Sequence, residues 1–142
     1  MNFRTLAVVL LVIGYVSGAS ANEDELNGVP KEYWDLKNPF TATDENLGDG
    51  KALYEAFCVR CHGVHGLADG PDSDKFNPPP AALGYTINMP VSTDPFLYWS
   101  IFEGGHEFGT AMPEFDRQFE PDEIWKIILY LRSGFSSADK DG

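Results

Sequence analysis

Apolar positions along this chain fall into four stretches with different rhythms. The first, Leu6 to Val16, is an uninterrupted apolar run with no period. In the second, Leu47, Gly50, Tyr54 and Phe57 recur at spacings of three and four, one face of an α-helix beginning near Asp44. Asp44 suits its N-cap and Glu45 its first turn. The third, "TDPFLYWSIFEGG", predicts a helix capped by Asp94, opened by Pro95 and stopped by Gly104 or Gly105. The fourth, "EPDEIWKIILYLRSG", predicts a terminal helix opened by Pro121, with Asp122 and Glu123 complementing its N-terminal dipole. Ile124, Trp125, Ile128 and Leu131 form its apolar stripe, Arg132 lies in the last turn, and Gly134 closes it. No stretch carries a useful period of two, and no internal repeat is present. The expectation is a small all-α domain.

Between these elements lie long irregular stretches. Residues 63–93 contain "LADGPDSDKFNPPPAALGY", rich in turn residues, with three consecutive prolines on an extended path. Residues 105–119 form a second loop. Loops of this length are out of place in a compact domain unless they wrap something. A large apolar cofactor would make them reasonable. Upstream, residues 22–43 read as an extended leader broken by Gly28, Pro30 and Pro39. Tyr33, Trp34 and Phe40 could lay it over the domain surface.

The apolar run changes the picture at the N-terminus. Arg4 precedes it and "ASA" at 19–21 follows, the three-part layout of a secretory signal cleaved before Asn22. The run is shorter than the about 20 residues a membrane span needs, so no stable insertion is expected after processing; a retained anchor is the alternative. No cysteine follows the run to carry a lipid. The chain of 142 residues thus divides into a signal (1–21), the leader (22–43), one domain (44–135) and a flexible tail (136–142). Formal charge is −12, and falls to −13 without Arg4. Such acidity argues against nucleic acid and anionic lipid. It suits docking onto a partner with a basic patch, an attraction that weakens with salt, or simply solubility.

The chemistry concentrates in "FCVRCHGVHG". Cys58 and Cys61 are the only cysteines, and His62 follows directly. A thioredoxin-like pair would need a preceding strand. Zinc would want two more ligands, for which His65 and His106 are the nearest candidates, and open thiols in an exported protein tend to oxidise. Covalent attachment of haem c accounts for both cysteines, the export signal and the loops together. In that reading Cys58 and Cys61 form thioethers and His62 is the proximal iron ligand. For the distal ligand the candidates are Met112 in "GTAMPEF", then His106 and Met89; His65 is too close to His62 to cross the ring. A thioether favours reduced iron, and the loop carrying Met112 can reach the distal face, which puts Met112 first.

With "GKALYEAFCVRCHG", "MP" about fifty residues on, and "EIWKIILYLRSG", the chain resembles class I monohaem cytochromes c of the bacterial periplasm over about residues 44–134. The resemblance implies three to five helices with long loops around one covalent haem. It implies that the first and last helices cross, with Gly50 and Tyr54 meeting Trp125 and Tyr130. It implies a proline carbonyl accepting from His62 Nδ1, with Pro78, Pro79 and Pro80 as candidates and Pro79 at their centre. It offers Trp99 as a contact to a haem propionate, with core packing as the equal alternative. Two local features remain. Asp69, Asp72 and Asp74 do not match the EF-hand spacing and read as a solvated acidic turn. Phe102, Phe108, Phe115 and Phe119 read as lining for the haem pocket or the core. The expected function is one-electron transfer, not catalysis. The alternatives are a haem subunit of a larger periplasmic oxidoreductase, and a haem enzyme or gas sensor with an open sixth position.

Overall fold

The computed structural model describes residues 28–135. The segment expected to be a signal, the start of the expected leader and the expected tail lie outside them. Among the described residues there are five α-helices and no strand: α1 (Asp44–Phe57), α2 (Val59–His62), α3 (Leu83–Thr86), α4 (Asp94–Phe102) and α5 (Pro121–Arg132). None is long and apolar enough to cross a membrane. Short 3-10 turns occur at Lys31–Tyr33, Ser73–Lys75 and His106–Phe108.

Two helix starts differ from the sequence reading by one residue. Thr43 caps α1, its Oγ1 accepting from Asn46 N at 3.2 Å, and Asp44 is the first helical residue. Thr93 likewise caps α4, accepting from Phe96 N at 3.3 Å. In each Thr-Asp pair either residue can cap. The hydroxyl takes that place, and the carboxylate then sits in the first turn, where the dipole favours it. Helix α5 opens on Glu120 and Pro121 with a capping box, Glu120 N donating to Glu123 Oε2 at 2.9 Å.

The most extensive helix contact is between α1 and α5. They cross at Gly50, where an added Cβ would lie 2.1 Å from the Lys126 carbonyl oxygen and 3.0 Å from Tyr130 Cβ. Tyr54, fully buried, faces Tyr130 with ring centres 5.6 Å apart. Trp125, which the resemblance also placed at this crossing, has a ring partner on another helix. It turns to α4 and meets Tyr98 at 4.6 Å. Asp49 and Lys126 close the solvent side at 2.6 Å. Arg132 ties the end of α5 to the start of α4, reaching Asp94 Oδ1 at 2.8 Å, Ser92 O at 2.7 Å and Ile87 O at 3.2 Å.

Helix α4 is apolar on every side, and none of its residues is exposed. Such a helix needs cover all round. Part of that cover is the leader, which is not extended throughout. Val29 and Tyr33 are buried in the core, and Tyr33 packs on Tyr98 and Phe102 while its hydroxyl donates to Glu103. Asn38 Nδ2 donates to the Trp125 carbonyl at 2.9 Å, and the Lys126 ammonium lies over the Phe40 ring. Residues 28–40 are thus part of the folded body.

Candidate haem-binding site

The site begins where α1 ends. Cys58 caps α1, and α2 carries Val59 to His62 in one further turn. Gly63 stops it with φ +82. Cys58 and Cys61 carry free, half-buried thiols. Burial, then the neighbouring Cys61, pushes the Cys58 thiol up to about 12. That is opposite to the lowered thiols of redox dithiols. Among the described residues no three His, Cys, Asp or Glu side chains converge as a metal site would require.

His62 is half-buried, and its Nδ1 lies 2.8 Å from the Ala81 carbonyl oxygen. A carbonyl only accepts, so Nδ1 carries the proton and Nε2 keeps its lone pair. Burial lowers the His62 pKa, with the bond to Ala81 opposing, so the ring is held neutral. This is the orientation and tautomer that a metal-ligating imidazole needs. The acceptor corrects the expectation of a proline. Pro78 and Pro79 are exposed, and the chain turns its carbonyl to His62 only at Ala81, the first residue past the prolines and just before α3.

Two further supports hold this turn, and neither was visible in the sequence. The Tyr54 hydroxyl, pushed well above its ordinary pKa by burial, donates to the Gly63 carbonyl at 2.7 Å. The second support is the loop over residues 70–75. Gly70 sits so close that an added Cβ would lie 2.5 Å from the carbonyl oxygens of both Val59 and Arg60. Asp72 N donates to Arg60 O at 3.0 Å, and the Asp72 carboxylate pairs with Lys75 and Arg60. Hydrogen bonds from Lys75 and Arg60 hold the Asp72 carboxyl below the usual carboxylate range. The acidic stretch is therefore not solvated throughout: Asp69 and Asp74 are exposed, but Asp72 is buried and clasps the turn.

Across the core, the second loop presents Met112. Gly105 N donates to Met112 O at 3.0 Å, and Phe115 N to Phe102 O at 3.1 Å, so the loop is hung from the end of α4. Met112 is half-buried, and both it and Cys58 pack against the same hydrophobic core. His65 and His106 are exposed, and Met89 is 50% exposed. Trp99 is 3% exposed, and its indole N–H donates to Glu103 Oε2 at 3.0 Å. Of its two expected roles, the structure displays core packing, with the N–H satisfied inside the protein. Phe119 is likewise buried, while Phe108 is 43% exposed against Trp99 and Phe96. Two thiols one turn apart, a neutral histidine beside them and a loop-borne thioether fit the donor set for covalent haem.

Comparison with known proteins agrees. The chain belongs to the family described as cytochrome c oxidase, cbb3-type, subunit III, whose model matches residues 45–131. It is a class I-like c-type cytochrome domain, and electron transport on haem iron is the activity of such domains. Over 100 residues it is 28% identical to quinohemoprotein alcohol dehydrogenase ADH IIB of Pseudomonas putida, covering 69% of this chain and 12% of that protein. It is also similar to a chain of the reducing HAO-like protein complex of Kuenenia stuttgartiensis, with TM-score 0.55 and 26% identity, covering 68% of this chain and 46% of that one. The chain therefore spans a small part of the first relative and under half of the second.

Proposed function

We propose that this protein is an exported one-electron carrier with a single haem c, held at Cys58 and Cys61 and ligated by His62 and Met112. Bound haem supplies reversible exchange between ferrous and ferric iron. The observation that carries the reading is the pinning of His62 Nδ1 to the Ala81 carbonyl beside two free thiols. Ala81 fixes the ring, Tyr54 and the loop at 70–75 fix the turn beneath it, and the α4 end fixes the Met112 loop. If His62 and Met112 both held the iron, the site would have no place for a substrate. The other distal candidates, His106 and Met89, are exposed side chains, which favours Met112. The acidic charge suits partners with basic docking patches.

The spectrum of the purified holoprotein in alkaline pyridine tests attachment, and two thioethers are expected. A near-infrared sulfur–iron band in the ferric protein tests Met112. Carbon monoxide should leave the ferrous spectrum unchanged at neutral pH; rapid binding would favour a gas sensor or enzyme instead. Export predicts an N-terminus at Asn22 in periplasmic protein, and an intact Met1 there would contradict it.

A second reading, a haem subunit of a larger oxidoreductase, is favoured by the comparisons, because one relative is a far longer dehydrogenase and the other belongs to a complex. Size-exclusion chromatography of the native protein separates the two. Elution at the mass of the processed chain supports the free carrier, and elution in a larger assembly supports the subunit.

A further inference from the structure

The end of α4 borders a cleft of about 400 Å³ that lies between three segments of the chain. Gly28 and Pro30 of the leader form one side, Trp99 and Glu103 the second, and Glu107 and Phe108 of the short turn at 106–108 the third. Its apolar wall is aromatic. Phe108 is 43% exposed and meets the buried Trp99 edge to face, ring centres 5.0 Å apart, and Phe96 stands 5.7 Å from Phe108 and 6.3 Å from Trp99. Its charge is of one sign. Glu103 and Glu107 are both exposed, and no lysine, arginine or histidine is among the lining residues. The Glu103 carboxylate is also held in place. Trp99 Nε1 donates to one of its oxygens at 3.0 Å, and the Tyr33 hydroxyl donates to the other. Both donors are neutral, so they orient the charge without cancelling it. Each oxygen keeps a second lone pair for a further donor.

We propose that this cleft binds a small organic cation, an ammonium group carried on an aromatic or bulky aliphatic body. The volume is that of a small-molecule pocket. The ammonium donates to the oriented Glu103 carboxylate and is attracted by Glu107. The body lies against Phe108, whose ring face also favours a cation. The same two carboxylates repel anions. Haem is therefore a poor occupant, because its propionates would meet Glu103 and Glu107. A bare metal ion is another, because among the described residues no third acidic, histidine or cysteine side chain joins these two. The cleft uses neither thiol nor His62, so it stands whether or not the electron-carrier reading does.

Phenethylammonium chloride is the probe, titrated into the purified, reduced protein and followed by proton–nitrogen NMR. Saturable shifts are expected at the amides of Gly28, Glu103, Glu107 and Phe108 and at the Trp99 indole. 2-Phenylethanol has the same body without the charge, and the ammonium ion has the charge without the body. Each should bind about fivefold or more weakly than the probe, and phenylacetate should not bind. Glu107→Gln should weaken the probe by about three- to fivefold, and Phe108→Ala by about fivefold. No shift at these residues up to about 10 mM probe overturns the proposal. Equal affinity for 2-phenylethanol overturns it in favour of a merely apolar cleft, and equal affinity for ammonium in favour of a merely acidic surface. Capped lysine amide binding as tightly as the probe would overturn it in favour of a side chain from a partner protein. Wild-type affinity in both variants would overturn it as well. If Phe108→Ala does not accumulate, Phe108→Leu, which keeps apolar bulk and loses the ring face, is read by the ratio of amine to alcohol affinity; an unchanged ratio counts against the proposal.

Discussion

At the scale of single residues, three side chains divide the work around the candidate haem-binding turn. His62 is oriented through Ala81 and Tyr54 supports the next carbonyl, while Met112 is offered from the far loop. Tyr54→Phe keeps the ring between Tyr130 and Phe135 but removes one of the two hydrogen bonds on the buried Gly63 carbonyl, leaving that from Gly66 N at 3.2 Å. The expected loss is about 0.5–1.5 kcal/mol in denaturant unfolding of the holoprotein; a change within error would mean that the bond from Gly66 suffices. Met112→Ala should leave haem attached, lower the reduction potential and admit carbon monoxide, and an unchanged ferric spectrum would move the ligand elsewhere. The cysteines, His62 and Met112 were recognisable as candidates because their chemistry depends on spacing and type. Ala81 was not, because any carbonyl can accept, and only the path of the folded loop decides which one faces the ring. Trp99 was ambiguous for a related reason, since one N–H can serve a cofactor or a neighbouring Glu103.

Among the elements, α1 and α5 were readable from periodicity and caps, and α4 from its Thr-Asp-Pro start and Gly-Gly end. The three-residue turns and α3 were not, being shorter than one period of the pattern that would reveal them. The crossing of α1 and α5 gives a direct test. Gly50→Ala should gain up to about 1 kcal/mol of helix propensity. Against this, the new Cβ would lie 2.1 Å from the Lys126 oxygen, so the helices must part. Overpacking dominates, and a net loss of about 1–3 kcal/mol is expected in thermal or denaturant unfolding. The loop at 70–75 gives a pH test. Asp72 has a folded-state pKa held below its unfolded value, so its contribution is complete above the ordinary carboxylate value of about 3.9 and is lost as pH falls through the lower folded one. Asp72→Asn should flatten the acid limb of a stability–pH curve in that window; an unaltered limb would show that other carboxylates set it.

For the whole molecule, the leader is the least expected part. The aromatic residues at 33, 34 and 40 signalled contact, but not that Val29 and Tyr33 would complete the core over α4. That depends on α4 having no polar face, a property of another element. A chain beginning at Thr41 should lose the burial of both side chains, roughly 3–6 kcal/mol together. It should unfold at lower temperature and bind hydrophobic dyes; an unchanged melting point would show the leader to be dispensable.

Gly70 extends these constraints from one molecule to a lineage. It carries no side chain of its own, yet a methyl group there would collide with two carbonyl oxygens of the turn that bears the thiols and the imidazole. Those oxygens belong to the backbone, so no substitution at Val59 or Arg60 can make room. Relatives that keep this loop length should therefore hold glycine at this position while the two residues between the cysteines drift freely. An alignment of such relatives in which alanine or serine is common at position 70 would contradict this.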